Sequence, residues 1–210
     1  MLKIKTLDKK PFDEVKNTKR NSSSSSLWVG VTILGIAAIS ISCKEDASLP
    51  KVVNGSFEEP VVAGNWTTYR KGQNNIPGWS ITSGDLDLIN KYWDGSDGQQ
   101  SIDMNGGSPV TIEQTLGGFT AGANYVLKFD YGVNKDVADT NVGNIRAEIL
   151  IDGESKKTIA ATTSIKPPNY QTESITFEAA NEEVTFTFKS VSPGNKGIAL
   201  DNVRLELAEN

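Results

Sequence analysis

Apolar residues recur at every second position in stretch after stretch of the chain's second half. In "NYVLKFDYGV", Tyr125, Leu127, Phe129 and Tyr131 fall on one side, with Val126, Lys128 and Asp130 on the other. In "NIRAEILIDGE", Ile145, Ala147, Ile149 and Ile151 alternate with Arg146 and Glu148, and Asp152-Gly153 then supplies a tight hairpin turn. "ESITFEA" and "EVTFTFKSV" repeat the pattern through Ile175 and Phe177, then Val184, Phe186 and Phe188. A period of two places alternate side chains on opposite faces of a strand, and it fits no helix. Short strands of this kind, separated by turn residues, predict an all-β fold, an antiparallel β-sandwich. No stretch after the cysteine carries a convincing helical stripe, and no internal repeat is present.

The last such stretch, "GIALDNVRLEL" at 197–207, breaks its own rhythm. Ile198 and Leu200 occupy even positions, whereas Val203, Leu205 and Leu207 occupy odd ones. The inward parity therefore changes at Asp201-Asn202. One inserted residue, a β-bulge, does this and re-aims the neighbouring side chains.

The composition removes several functions. The chain has no histidine and one cysteine. Ser-His-Asp and Cys-His catalysis, the usual zinc sites and an internal disulfide are thereby excluded. Carboxylate chemistry, oxygen-ligated metals and binding remain.

The single cysteine, Cys43, follows a distinctive leader. Residues 1–26 carry seven Lys and Arg and end in five serines. "LWVGVTILGIAAI" at 27–39 is apolar and uncharged, but short of the roughly 20 residues of a membrane span. A basic segment, a short apolar core and small residues before a cut site form a secretory signal. Residues 1–43 resemble a bacterial lipoprotein signal, in which Cys43 becomes the first mature residue and takes lipid. Ile41 and Ser42 fit that pattern, whereas Ser40 stands where leucine is usual. The competing reading is an uncleaved anchor with an idle cysteine. Residues 44–50 would be a tether, and "KED" at 44–46 resembles the export signal that sends Bacteroidetes lipoproteins to the outer face of the outer membrane. The localisation implied is the outer membrane, lipid-anchored, at the surface of a bacterium. Beyond Cys43 there remain 14 basic and 23 acidic residues. So acidic a domain is not built for nucleic acid, and its membrane contact would run through the lipid.

From residue 51 onward a family resemblance emerges. "NGSFE" opens the domain, then come "IPGW" at 76–79, Trp93, "DGQQSIDMNG" at 97–106, "IEQTL" at 112–116, "NYVLKFDYGVN" and the closing "ALDNVRLEL". In that order they resemble the choice-of-anchor C family of bacterial exported proteins and its plant cell-wall relatives, a domain of unknown function. The resemblance covers residues 51–207 and implies a galactose-binding-like jelly roll. Plant relatives carry further paired cysteines, which this chain lacks. The resemblance also implies a structural calcium tying the first strand to the last through Glu58 and Asp201. Calcium takes oxygen ligands, and two carboxylates with carbonyls and water would suffice. The alternative is a surface acid at Glu58 and a bulge cap at Asp201. "DGSDG" at 94–98 is first of all a turn, and could also hold an ion.

Scattered acids such as Asp85, Asp87, Asp103 and Glu113 do not by themselves make the paired carboxylates of a glycosidase, and no nucleophile motif or phosphate loop appears. Enzymatic activity is therefore not expected. Binding fits better, because sugar sites pair aromatic rings with amides and carboxylates. Trp79, after Pro-Gly, is expected in the core. Trp66 and Tyr69 in "NWTTYR", together with Tyr92, Trp93, Asp87 and Asn105, are the candidate ligand residues. Trp93 serves core and ligand readings equally, and Tyr92 is expected to point to the opposite face of a strand. The expected partner is an extracellular polysaccharide. The rival is a structural or adhesive protein that binds other envelope proteins.

Overall fold

The computed structural model describes residues 49–161 and 168–209. Cys43, the leader before it and residues 44–48 of the tether lie outside the described residues. Among the described residues eleven strands follow one another: β1 Trp66–Arg70, β2 Ser80–Ser83, β3 Asp85–Ile89, β4 Ser101–Asp103, β5 Thr111–Gly117, β6 Asn124–Val133, β7 Arg146–Ile151, β8 Glu154–Ala160, β9 Gln171–Glu178, β10 Glu183–Ser190 and β11 Ile198–Leu207. The only helical turn among the described residues is a 3-10 helix, Asp139–Asn144.

The strands form two antiparallel sheets, in the orders β1-β3-β4-β11-β6-β9 and β2-β5-β10-β7-β8. This is the antiparallel β-sandwich that the alternation implies, of the jelly-roll type that the family resemblance implies. The inner faces carry the apolar residues read from the sequence. Tyr125, Leu127 and Phe129 of β6, Ile149 of β7, and Phe186 and Phe188 of β10 are fully or almost fully buried. Phe188 sits between the layers, its ring 5.1 Å from Phe129 and 5.9 Å from Trp79. Each such side chain contributes about 1.5–3 kcal/mol on burial. Trp79 is in the core as expected, and its Nε1 donates to the Asn54 carbonyl at 3.1 Å.

The local signals hold as well. Asp152 and Gly153 both take positive φ, the mirror-image turn that suits a two-residue hairpin between β7 and β8. The register of β11 against β6 shifts between Asp201 and Arg204, and Asn202 has φ 51°. The bulge therefore lies where the parity changes. Within "NWTTYR", Trp66–Arg70 forms β1, the edge strand paired with β3. Its composition is too polar and too short to read as a strand alone, and the register with Asp85–Ile89 decides it.

Candidate binding groove

The outer face of the six-stranded sheet, away from the core, holds most of the molecule's unusual chemistry. Alternation in β1 aims Trp66, Thr68 and Arg70 outward and leaves Tyr69 inward, packed against the main core. Thr68 pairs across to Asp87 on β3, Asp87 to Asp103 on β4, and Asp103 to Ala199 on β11. One row further along, Trp66 faces Ile89, and Ile89 faces Ser101. Two carboxylates therefore stand side by side on neighbouring strands, with a tryptophan at the rim.

Loops close the ends. Tyr92 and Trp93 lie outside any strand, and their rings are 5.6 Å apart on the same side of the sheet. The expectation that Tyr92 points away from Trp93 fails because the turn at 90–93 removes strand alternation. Trp66 meets Tyr92 edge-on at 5.2 Å. Lys135 Nζ lies 3.5 Å over the Tyr92 ring and donates to the Tyr92 carbonyl at 2.7 Å. The Tyr92 hydroxyl donates to Asp136. Trp93 is buried against Ile89 and Ala199, and its Nε1 donates to Ser101 Oγ at 2.8 Å. Tyr170 reaches the same hydroxyl at 2.9 Å. Trp93 is thus buried and lies on the floor of this face.

The resulting groove encloses about 310 Å³ between Trp66, Asp87, Trp93, Asp103, Asn134 and Lys196. That is within the range of small-molecule sites. Its acids are not equivalent. Asp103 is completely buried, and burial pushes its carboxyl up to about 7 against three N–H donors. Those donors are Asn134 Nδ2 on one oxygen, and the Asn105 and Gly197 backbones, each at 2.9 Å, on the other. A Cβ on Gly197 would lie 2.8 Å from Asp103 Oδ1, so only glycine brings its backbone this close. Asp87 is raised chiefly by burial, with the Asp85 charge adding and the Thr68 hydroxyl opposing at 2.5 Å. Asp85 itself accepts the Gly107 and Ser108 N–H groups at 2.6 and 2.7 Å.

Of the ligand residues expected from sequence, the groove gathers Trp66, Tyr92, Trp93 and Asp87. It does not gather Tyr69, which faces inward, or Asn105. Asn105 is fully buried, donates to the Ser192 and Gly194 carbonyls at 3.0 and 2.9 Å, and accepts from Ser190 Oγ. Asn134, Asp136, Asn195 and Lys196 also line the groove, and sequence reasoning missed them. They sit in loops far from β1 and β3 in sequence, and only the sheet order brings them together.

Glu58 and Asp201 share a loop rather than a cluster of acids. Asp201 Oδ2 accepts the Ser96 and Asp97 backbone N–H groups at 2.7 and 3.0 Å, and Oδ1 accepts Asn202 N–H at 2.6 Å. Glu58 Oε1 accepts Gln99 and Gln100 N–H at 2.8 and 2.7 Å. A Cβ on Gly98 would lie 2.5 Å from Glu58 Oε1, so the loop needs glycine there. The backbone groups facing both carboxylates are N–H donors, which cannot ligate a cation, and the one hydroxyl there, Ser96 Oγ, donates to Asp201 Oδ2 at 3.2 Å. Among the described residues, no three His, Cys, Asp or Glu side chains converge on a point that could hold a metal ion. The pair does not fit a calcium shell as placed. It does what the calcium was expected to do, which is to tie the start of the domain to its last strand.

The family described as "Protein of unknown function (DUF642)" matches residues 51–206. The chain belongs to the DUF642 family. The DUF642 domain thus occupies almost all of the described chain. Halomucin from Haloquadratum walsbyi (strain DSM 16790 / HBSQ001) is 33% identical over 181 residues, a match covering 83% of this chain and 2% of halomucin. The chain thus spans about 2% of that curated relative's length. Among solved structures, a Stig cyclase, Fisc from Fischerella sp. TAU, is similar with a TM-score of 0.53 and 19% identity, covering 78% of this chain and 100% of that one. An apo form cyclase from Fischerella sp. gives 0.53 and 20%, over 78% and 98%. A family 35 carbohydrate binding module from an environmental isolate gives 0.45 and 17%, over 69% and 93%. The cyclase likeness establishes a shared fold, and fold alone does not assign chemistry.

Proposed function

We propose that the DUF642 domain binds an extracellular polysaccharide on the outer face of its six-stranded sheet, without reacting with it. One observation carries this reading: Trp66, a large ring left 47% exposed, stands at the rim of a groove whose floor is carboxylate and amide. A sugar presents an apolar C–H face to a ring and hydroxyls to polar side chains, so this pairing suits it. Tyr92 cannot stack in the same way. Lys135 covers one part of its ring, and Trp66 and Trp93 pack beside it. Tyr92 instead holds Trp66 in place.

The non-catalytic part of the proposal rests on Asp103. Both of its oxygens are held by N–H groups of the floor, which builds the site rather than presenting a proton to a substrate. Display at the cell surface through lipid on Cys43 belongs to the same proposal and is supported by the leader sequence. Metabolic labelling with a fatty-acid probe tests it, and label that persists in Cys43→Ser would remove it.

The test of binding is a glycan array probed with the purified chain and with Trp66→Ala. Specific binding by the wild type, weakened at least about tenfold by the substitution, is the expected result. Failure to bind any plant, algal or bacterial glycan, with capture of an envelope protein instead, would replace this reading with the adhesive one.

A further inference from the structure

Beyond the groove lies a second hollow of about 410 Å³, between the 3-10 helix Asp139–Asn144 and the turn before β11. The two hollows share a wall made of Asp136, Asn195 and Lys196. We propose that this hollow is a second subsite, into which a neutral polysaccharide chain continues after crossing the groove. The inference rests on the glycan reading and extends it to the length and charge of the chain recognised.

The chemistry of the lining supports it. Val137 and Ile145 are buried and form an apolar floor. Asn141, Asn144 and Asn195 stand around it, and their side-chain amides have no partner among the described residues. An amide both donates and accepts, which matches a hydroxyl that does the same. Among the described residues no aromatic ring lines this hollow, so it would hold a sugar by hydrogen bonds over an apolar floor, without stacking. Among the described residues the lining carries one carboxylate and one ammonium: Asp136 accepts the Tyr92 hydroxyl, and Lys196 donates to the Asp136 carbonyl at 2.8 Å. Charges so balanced and so engaged favour a neutral chain over a polyanion.

The hollow is also built in advance. Ser192 Oγ accepts Arg146 N–H at 2.5 Å and lies 3.3 Å from the Asn144 carbonyl, which joins the turn to the end of the 3-10 helix. Asn105 grips the same turn from beneath through the Ser192 and Gly194 carbonyls. Both walls are thus fixed at their base, so little ordering opposes binding.

The experiment is a length series. Neutral oligosaccharides of cellulose, β-1,3-glucan, mannan and xylan, from disaccharides to octasaccharides, are titrated calorimetrically into the whole chain and into Asn141→Ala/Asn144→Ala. Both asparagines are exposed, so the double variant should fold. The expected result is an affinity that keeps rising, by roughly tenfold, beyond the length that fills the groove. The double variant should lose that rise while binding the shortest ligands within about twofold of wild type. An affinity that stops rising with the first oligomer that binds, or a variant equally weakened at every length, would overturn the second subsite and leave the groove intact. Absence of binding by the wild type at all lengths would overturn the glycan reading and the subsite together.

Discussion

The outer face of the five-stranded sheet and the β3-β4 end of the other outer face follow the same alternation and end in opposite states. On the five-stranded sheet the outward residues satisfy one another. Thr115 and Thr185, directly opposite, share a hydrogen bond of 2.8 Å, and Lys189 reaches Glu148 at 3.1 Å across the next pair of strands. Hydrogen bonds from Ser155 and Lys189 hold the Glu148 carboxyl below its usual range. On the six-stranded sheet Asp87 faces Asp103, and burial pushes both carboxyls up. Cross-strand partners of opposite charge stabilise a sheet, and like charges directly opposite destabilise it. The first face is arranged for stability. The second keeps unfavourable neighbours beneath an exposed ring, and such violations of local rules gather where a molecule binds something.

The largest expected effect concerns the support under the second face. Asn105→Ala leaves the Ser190 hydroxyl and two turn carbonyls without their buried partner, and should cost about 2–3 kcal/mol of unfolding free energy. Chemical denaturation measures it. Unchanged stability combined with lost glycan binding would return Asn105 to the ligand role that its sequence neighbourhood suggested, and the face would need less internal support than described.

That residue marks where sequence reading stops. The inward positions of β6, β7, β9 and β10, the Asp152-Gly153 turn and the bulge at Asp201-Asn202 were all legible, because each depends on neighbours within a few residues. Tyr69 and Asn105 fall outside the groove for a different reason. Being polar or aromatic in a polar segment says nothing about direction until the strand partner is known. Once Trp66–Arg70 pairs with Asp85–Ile89, Trp66 must face out and Tyr69 in. Asn134, Asp136 and Lys196 could not have been found this way, since the loops that carry them join the groove only through the order β3-β4-β11-β6.

A smaller effect sharpens the contrast between the faces. Asp103 and Asp201 are both raised by burial to about 7, from 3.8 as ordinary carboxyls. Between those values the folded state holds protons that the unfolded chain has released. Stability should therefore fall as pH rises from about 4 to about 7, and level off above. Glu148, with its carboxyl lowered, acts in the opposite sense and on the acid side. Denaturation curves across that window should show the decline, with a shallower slope in Asp103→Asn. A flat profile in the wild type, or an unaltered slope in the variant, would mean that the groove face tolerates its buried acids as anions.

The smallest effect expected is none at all. It falls at the corner where Glu58 and Asp201 hold the loop from Gly95 to Gln100. Calcium bound to the folded state alone would raise the melting temperature by mass action, and a chelator would lower it again. Backbone N–H groups already point at the carboxylate oxygens that would bind the ion, and positive hydrogens and a dication compete for the same lone pairs. To admit calcium, this loop would have to turn carbonyls toward Glu58 and Asp201 in place of four N–H groups. Chelation is accordingly expected to leave the melting temperature unchanged, and elemental analysis of the purified chain to find no bound calcium. A melting temperature that drops on chelation and recovers with added calcium would show that the loop does reverse. The six-stranded sheet would then owe its buried Asp201 to a cation, and the contrast between a self-satisfied face and a strained one would narrow to Asp87 and Asp103 alone.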